Sequence, residues 1–127
     1  GLSERIIFHG SRPSSELPGL FQGMSLVTAL SRNEGFGLTV LEAMASDCAV
    51  LASHAGAWQD IITEGIHGFT VPCGDVEATR DSLANLIAHP EKLLGMGRAG
   101  HSHVEEHYTT EREATALCDY YQLIARS

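Results

Sequence analysis

The chain is organised around the stretch Ser31-Arg-Asn-Glu34-Gly-Phe-Gly-Leu38-Thr-Val-Leu-Glu42-Ala-Met-Ala-Ser46. The apolar run before it, residues 25–30, is typical of a buried strand, and residues 38–46 favour a helix. Between them lies a Glu34-Gly-x-Gly junction, whose glycines let a ligand approach the backbone closely. No Ser, Thr, Asp or Asn stands at the N-cap position before Leu38, so we expect the first helical amides to face an anion such as phosphate.

Two acidic residues, Glu34 and Glu42, frame this junction with seven residues between them. Helical side chains lean toward the N-terminus, so we expect Glu42 to reach the space beside Glu34. Carboxylates repel a diphosphate but accept hydrogen bonds from sugar hydroxyls, each worth roughly 1.5–3 kcal/mol when charge-assisted. Amides for phosphate beside acids for hydroxyls indicate a nucleotide-sugar site. The alternative is a glycine turn with two solvated glutamates, one of which favours the helix dipole.

Length and composition exclude several classes of protein. The 127 residues suit one domain, 1–127, and the net charge of −8 with a single lysine leaves no basic surface for nucleic acid or anionic lipid. No apolar run approaches the roughly 20 residues of a membrane span, and the N-terminal residues lack the pattern of a signal peptide. Three widely spaced cysteines argue against a disulfide framework. These features indicate a cytoplasmic protein with free thiols.

The remaining pattern is that of an α/β protein. Four apolar segments are predicted as strands, at residues 5–8, 25–30, 49–53 and 68–72. The predicted helices include a weak one capped by Ser14 or Ser15, a turn within 56–64, one capped by Asp75, one opened by Pro90, and one begun by a Thr110-x-x-Glu113 capping box. Strands alternating with helices favour a parallel sheet covered on both faces.

The central stretch resembles the E-x7-E motif of retaining GT-B glycosyltransferases of family 4. The likeness continues through Ala49-Val-Leu-Ala-Ser53, Gly56-Ala57 and Gly65-x-x-Gly68-Phe-Thr-Val-Pro72, and so covers nearly the whole chain. Its wording is most similar to bacterial lipopolysaccharide-core mannosyltransferases. The implied fold is part of the C-terminal, nucleotide-sugar-binding half of such an enzyme: a partial doubly wound, Rossmann-like sheet of about four parallel strands with helices on both faces.

The resemblance also implies residue roles. Glu34 is the expected catalytic residue and would hold the transferred sugar, Glu42 would bond the nucleotide ribose, and Gly10 would lie beside the base. Backbone amides of the junction would bind the diphosphate. The implied donor-binding residues are Gly10, Glu34, Gly35, Phe36, Gly37, Leu38, Thr39 and Glu42.

The reaction implied by the resemblance transfers a hexose with retention from GDP-mannose or a UDP-hexose, without a metal or other cofactor. The acceptor would be a glycan or lipid-linked lipopolysaccharide core, held by an N-terminal domain that this chain lacks. The family's last helix usually crosses to that domain, so Tyr120 and Tyr121 are expected to be partly exposed. We expect a cytoplasmic location, with a peripheral position at the inner membrane left open.

The family's strand order raises a specific question about the sheet. It resembles 3-2-1-4-5-6, and this chain begins at the third strand, residues 5–8. The edge could stay exposed or be completed by another chain. We predict instead that residues 5–8 pair directly with the strand at 25–30, because an unpaired edge invites aggregation.

Two further motifs compete with this assignment. Gly95-Met-Gly97-Arg-Ala-Gly100 matches the dinucleotide pattern G-x-G-x-x-G but follows a helical pattern, which favours close helix packing instead. His103-Val-Glu-Glu-His107 matches the zinc pattern H-x-x-E-H, and a solvated helix face is the preferred interpretation. The alternative functions are therefore a non-catalytic nucleotide-sugar-binding remnant and, less favoured, a zinc site at His103 and His107.

Overall fold

The computed structural model describes residues 1–126, and the last residue of the predicted domain 1–127, Ser127, lies outside them. The sheet of the described residues contains strands β1 (Leu26–Ala29), β2 (Ala49–Ser53) and β3 (Gly68–Val71). The strands are parallel and follow the order β1-β2-β3. The α-helices in the same range are α1 (Leu17–Phe21), α2 (Leu38–Ala45), α3 (Trp58–Ile61), α4 (Val76–Ala88), α5 (Pro90–His107) and α6 (Thr110–Ala125).

The central strand β2 explains why helices cover both faces of the sheet. All five of its residues are buried, as expected for a parallel strand with a continuous apolar sequence. Val50 and Ala52 pack into one cluster with residues of α2 and α3, whereas Ala49 and Leu51 pack into another with residues of α4 and α5. Alternate residues of one strand thus anchor two helical layers, which confirms the predicted fold class.

The predicted first strand does not form. Leu2–Arg5 is a short 3-10 helix, and Ile7 and Phe8 are 77% and 92% exposed. The sheet within residues 1–126 therefore has three strands rather than four, and the predicted pairing of residues 5–8 with β1 is wrong. A strand exists only through its hydrogen-bond ladder, and the first two strands of the order 3-2-1-4-5-6, which would lie between this segment and β1, are absent from the described residues.

Helix starts agree with the sequence in some places and differ in others. Asp75 caps α4 as predicted, accepting a hydrogen bond from the Ala78 amide at 2.9 Å. Helix α6 is capped by Thr109 rather than Thr110, because Thr109 has extended backbone angles while Thr110 is already helical. The predicted serine cap of the first helix is also wrong, since Ser14–Glu16 forms a 3-10 turn ahead of α1.

The glycine-spaced segment of α5 packs closely against α2 and the turn that follows it. A Cβ atom at Gly97 would lie 2.6 Å from the carbonyl carbon of Asp47, and one at Gly100 would lie 3.2 Å from Cγ of Met44. These glycines lie inside a helix, so the close-packing interpretation is confirmed and the strand-to-helix context of a dinucleotide motif is missing. No helix within residues 1–126 combines the length and apolarity needed to cross a membrane.

Candidate functional site

The candidate site is the junction between β1 and α2, at the carboxyl end of the sheet. Its entrance is tied to the neighbouring strands, because the Ser31 carbonyl accepts hydrogen bonds from Oγ of Ser53 and, at 3.6 Å, from Sγ of Cys73. Ser53 ends β2 and Cys73 follows β3. The sheet therefore fixes where the junction begins.

Gly37 fixes the start of α2. It is the N-cap residue with φ 78° and ψ 55°, in the left-handed region that favours glycine. Its carbonyl accepts a hydrogen bond from Nε1 of Trp58 at 3.3 Å, and a Cβ at this position would lie 2.6 Å from Cε2 of the same ring. Because Trp58 is buried, the junction rests on an aromatic surface that α3 holds in place.

A second glycine supports the junction from the loop after β2. Gly56 has φ 55°, and a Cβ there would lie 2.9 Å from the carbonyl carbon of Glu34 and 2.9 Å from the Gly35 carbonyl oxygen. The two backbones approach this closely only because Gly56 has no side chain. The sequence marked Gly56 through its place in the family likeness, and the structure supplies the physical reason.

The start of α2 has free hydrogen-bond donors. No side-chain cap bonds its first turn, which confirms the prediction of an uncapped helix. Within residues 1–126, the amides of Leu38 and Thr39 have no protein acceptor. Both residues are exposed, as is Phe36. Two donors at the positive end of a helix dipole are thereby available to an anion from solvent.

The two framing glutamates occupy different surroundings. Glu34 is half-buried just before the junction glycines, whereas Glu42 is exposed one turn into α2. Glu42 lines a cleft of about 380 Å³ between α1, α2 and α5, together with Ser14, Gln22 and His101. Glu34 does not line that cleft. This cleft therefore contains only the second of the two framing carboxylates, and the predicted approach of Glu42 to the space beside Glu34 stays a prediction.

A larger cleft of about 960 Å³ opens on the other side of the junction. Phe36 and Leu38 line it together with Tyr108, from the connection between α5 and α6, and Arg112, from the first turn of α6. The Phe36 and Tyr108 ring centroids are 6.4 Å apart. Neither Tyr108 nor Arg112 could be recognised from the sequence, because neither belongs to a motif and both lie about 70 residues from the junction.

Gly10 is not brought to the junction by any contact with it. The residue is exposed with φ 66°, and no heavy atom lies within 4 Å of the position that its Cβ would take. Gly10 is isolated because the strand at residues 5–8 does not form. It was expected to follow that strand and to lie beside the nucleotide base. Arg12, two residues after Gly10, donates a hydrogen bond to the His9 carbonyl at 3.0 Å and forms an ion pair with Glu16 at 3.5 Å.

The zinc pattern on α5 is not assembled. Within residues 1–126, no group of three or more His, Cys, Asp or Glu side chains is arranged to hold a metal ion. His103 stacks instead against His107 and His67, with ring centroids 4.7 Å and 4.4 Å away. The preferred interpretation as a solvated face is right for His107 but wrong for His103, whose Nε2 atom is buried.

The chain is similar in sequence to known proteins. Residues 1–103 match the family described as Glycosyl transferases group 1. The chain is 43% identical over 121 residues to the lipopolysaccharide core biosynthesis mannosyltransferase LpcC of Rhizobium leguminosarum bv. viciae. That alignment covers 95% of this chain and 34% of LpcC, so the chain spans about a third of the length of this relative.

Solved structures share the fold, as two examples show. One is the C-terminal domain of the glycosyl transferase group 1 family protein LpcC from Francisella tularensis, with a TM-score of 0.78 and 36% identity over 86% of this chain and 56% of that one. The other is sucrose-phosphate synthase from Thermosynechococcus elongatus, with a TM-score of 0.90 and 28% identity over 99% of this chain and 32% of that one. The match over residues 1–103 decides the family. This chain belongs to the glycosyl transferases group 1 family.

Proposed function

We propose that the chain is the nucleotide-sugar-binding domain of a retaining glycosyltransferase of family 4. The observation that carries the proposal is the uncapped start of α2, with the amides of Leu38 and Thr39 free between Glu34 and Glu42. Gly37 and the buried Trp58 hold those amides in place. A doubly charged diphosphate fits donors at a helix N-terminus, and acids on either side suit sugar hydroxyls.

The charge of each group in the site indicates which part of the donor it would bind. The donor diphosphate would lie on the amides at the start of α2, with the backbone of Gly35 and Phe36 beside it. Glu34 would accept hydrogen bonds from the transferred hexose, and Glu42 from the ribose. The amides would stabilise the charge that develops on the leaving diphosphate, which is the main catalytic contribution expected of this chain. No metal or other cofactor enters this scheme.

The donor would be GDP-mannose or a UDP-hexose. The name of the Rhizobium relative, a mannosyltransferase of lipopolysaccharide core biosynthesis, supports mannose and a lipopolysaccharide-core or other glycan acceptor. That relative is about three times as long as this chain, so the acceptor would be bound by a part of the protein outside it. We place the enzyme in the cytoplasm, with peripheral contact at the inner membrane as a further possibility.

A thermal-shift experiment tests donor binding. We expect GDP-mannose or UDP-glucose to raise the Tm of the chain, because a ligand that binds only the folded state stabilises it. E42Q keeps the shape of the side chain but weakens its hydrogen bonds to hydroxyls, by about 1–2 kcal/mol, and should reduce the shift. E77Q is the matched control, since Glu77 lies in the first turn of α4 and does not line either cleft beside the junction.

Two results would contradict the proposal: no nucleotide sugar shifts the wild type, or E42Q responds as strongly as E77Q. The second candidate function is donor binding without transfer. Positively charged side chains would stabilise a leaving diphosphate, and Arg12, the cation nearest to Gly10 in the sequence, is engaged instead by the His9 carbonyl and Glu16, which favours this second candidate. Donor hydrolysis or transfer by the chain alone would contradict this second candidate.

A further inference from the structure

Three imidazoles form a stack beside the candidate site. His67 precedes β3, and His103 and His107 lie one turn apart on α5. The ring centroids of His67 and His103 are 4.4 Å apart, and those of His103 and His107 are 4.7 Å apart. The contacts continue from His103 to Tyr108 at 5.6 Å and from Tyr108 to Phe36 at 6.4 Å. A continuous path of rings thus runs from the sheet to the glycine junction.

Hydrogen bonding defines the protonation state that this arrangement accepts. His67 is 5% exposed, and its Nδ1 accepts a hydrogen bond from the Thr63 amide at 3.2 Å, so that nitrogen carries no proton. Burial lowers the pKa of His67, and the Ile61 carbonyl acts more weakly in the opposite direction. Nε2 of His103 is buried without a hydrogen-bond partner among the described residues, so a proton there would be left without an acceptor.

The groups that face His103 also oppose its charging. Burial lowers the pKa of His103 most, and the neighbouring His67 and His107 lower it further. Glu106 acts in the opposite direction, but its carboxylate lies 3.7 Å from Nε2 of His107. From α6, Arg112 donates to the Glu106 carbonyl and adds positive charge nearby. The arrangement is therefore most stable when His67 and His103 are neutral.

We propose that the histidine stack is a proton-sensitive element that controls the glycine junction. Charging His103 separates it from His67, because the buried Nε2 has no acceptor for its proton among the described residues and the charged ring must move to gain one. Tyr108 then loses its packing partner, and Phe36 loses Tyr108. His107, Tyr108, Phe36 and Leu38 line the same cleft, so the change reaches the start of α2 directly.

The direction of the pH effect follows from linkage. In the unfolded chain His67 and His103 take up protons near the ordinary histidine pKa of 6.5, whereas in the folded chain they take them up only at lower pH. The folded state therefore loses stability as the pH falls through 6.5. Well above that pH these two rings are neutral in both states and contribute no pH dependence.

An NMR titration of the chain tests the coupling without any ligand. We expect the His103 ring protons to titrate below 6.5, and the Gly35 and Gly37 amides to shift with the same midpoint. H103F keeps an aromatic ring but cannot be charged, so the shifts of those glycine amides should be lost. H89Q is the matched control, because His89 caps α4 away from the stack and should leave the glycine shifts unchanged. If H103F folds poorly, the wild-type titration alone tests the inference. Titration midpoints of the Gly35 and Gly37 amides that differ from the midpoint of the His103 ring protons overturn it.

Donor binding gives a second readout, which rests on the proposed function. A nucleotide-sugar diphosphate does not titrate near neutral pH, so a pH effect reports on the protein. We expect GDP-mannose to bind about three- to tenfold more weakly at about pH 5.5 than at about pH 7.5, and this difference to shrink in H103F. Equal wild-type affinities overturn the inference. No binding at either pH overturns the proposed function instead, and the glycine amides then decide the inference.

Discussion

At the residue scale, the account depends most on Gly37. Its left-handed backbone and its contact with the Trp58 ring both exclude a side chain. We predict that G37A destabilises the chain by about 2–5 kcal/mol, from about 1–2 for the backbone conformation and the rest for the clash. Urea denaturation followed by circular dichroism measures this loss.

The matched control for this change is G65A. Gly65 has φ 73°, close to that of Gly37, but nothing lies within 4 Å of its Cβ position. G65A should therefore cost only the backbone contribution, about 1–2 kcal/mol. If G37A and G65A cost the same, the Trp58 contact does not constrain the junction, and the rigidity attributed to the site is wrong.

The sequence identified the residues of the junction but not those that face it. Glu34, Glu42 and the glycines form a local pattern, so their position at a helix start could be predicted from the sequence. Tyr108 approaches Phe36 only through the packing of α5 on α2, and His67 meets His103 only because β3 lies beside β2. Contacts between distant segments without a shared pattern leave no trace in one sequence.

At the element scale, the packing of α5 on α2 determines where the stack and the junction meet. Gly97 permits the approach, because a Cβ there would lie 2.6 Å from the Asp47 carbonyl carbon. We predict that G97A destabilises the chain by about 1–3 kcal/mol through overpacking, despite the better helix propensity of alanine. G95A is the control in the same helix, with nothing within 4 Å of its Cβ position. It should stabilise by about 0.5–1 kcal/mol, and a stabilising G97A would contradict the close-packing account.

The strands show what sequence pattern can and cannot decide at this scale. Residues 49–53 and 5–8 are both short apolar runs, and both were predicted as strands. The first became β2 because β1 and β3 flank it, with Leu26 opposite Ala49 and Val50 opposite Gly68. Residues 5–8 contain the strand formers Ile6, Ile7 and Phe8 but have no neighbouring strand within the described residues, and propensity without a partner does not make a strand.

At the scale of the whole molecule, large apolar side chains are exposed near both ends of the described residues, among other places. Ile7 and Phe8 are exposed near the start, and Tyr120 and Tyr121 are 59% and 65% exposed on α6, as expected for the tyrosines from the family likeness. The two clefts and the junction lie between these ends. Under the proposed function, this region binds the donor, and a part of the protein outside this chain binds the acceptor.

The most direct test of the central claim is a ¹⁵N-labelled amide spectrum of the chain recorded during a titration with GDP-mannose and UDP-glucose. The account predicts that one of these donors shifts the amides of Leu38 and Thr39 most strongly, with Gly35 and Gly37 next, because the diphosphate accepts hydrogen bonds from the uncapped start of α2. E42Q should raise the Kd for that donor without moving the set of affected amides. Shifts confined to other parts of the chain, or no shift at the α2 start with either donor, would contradict it.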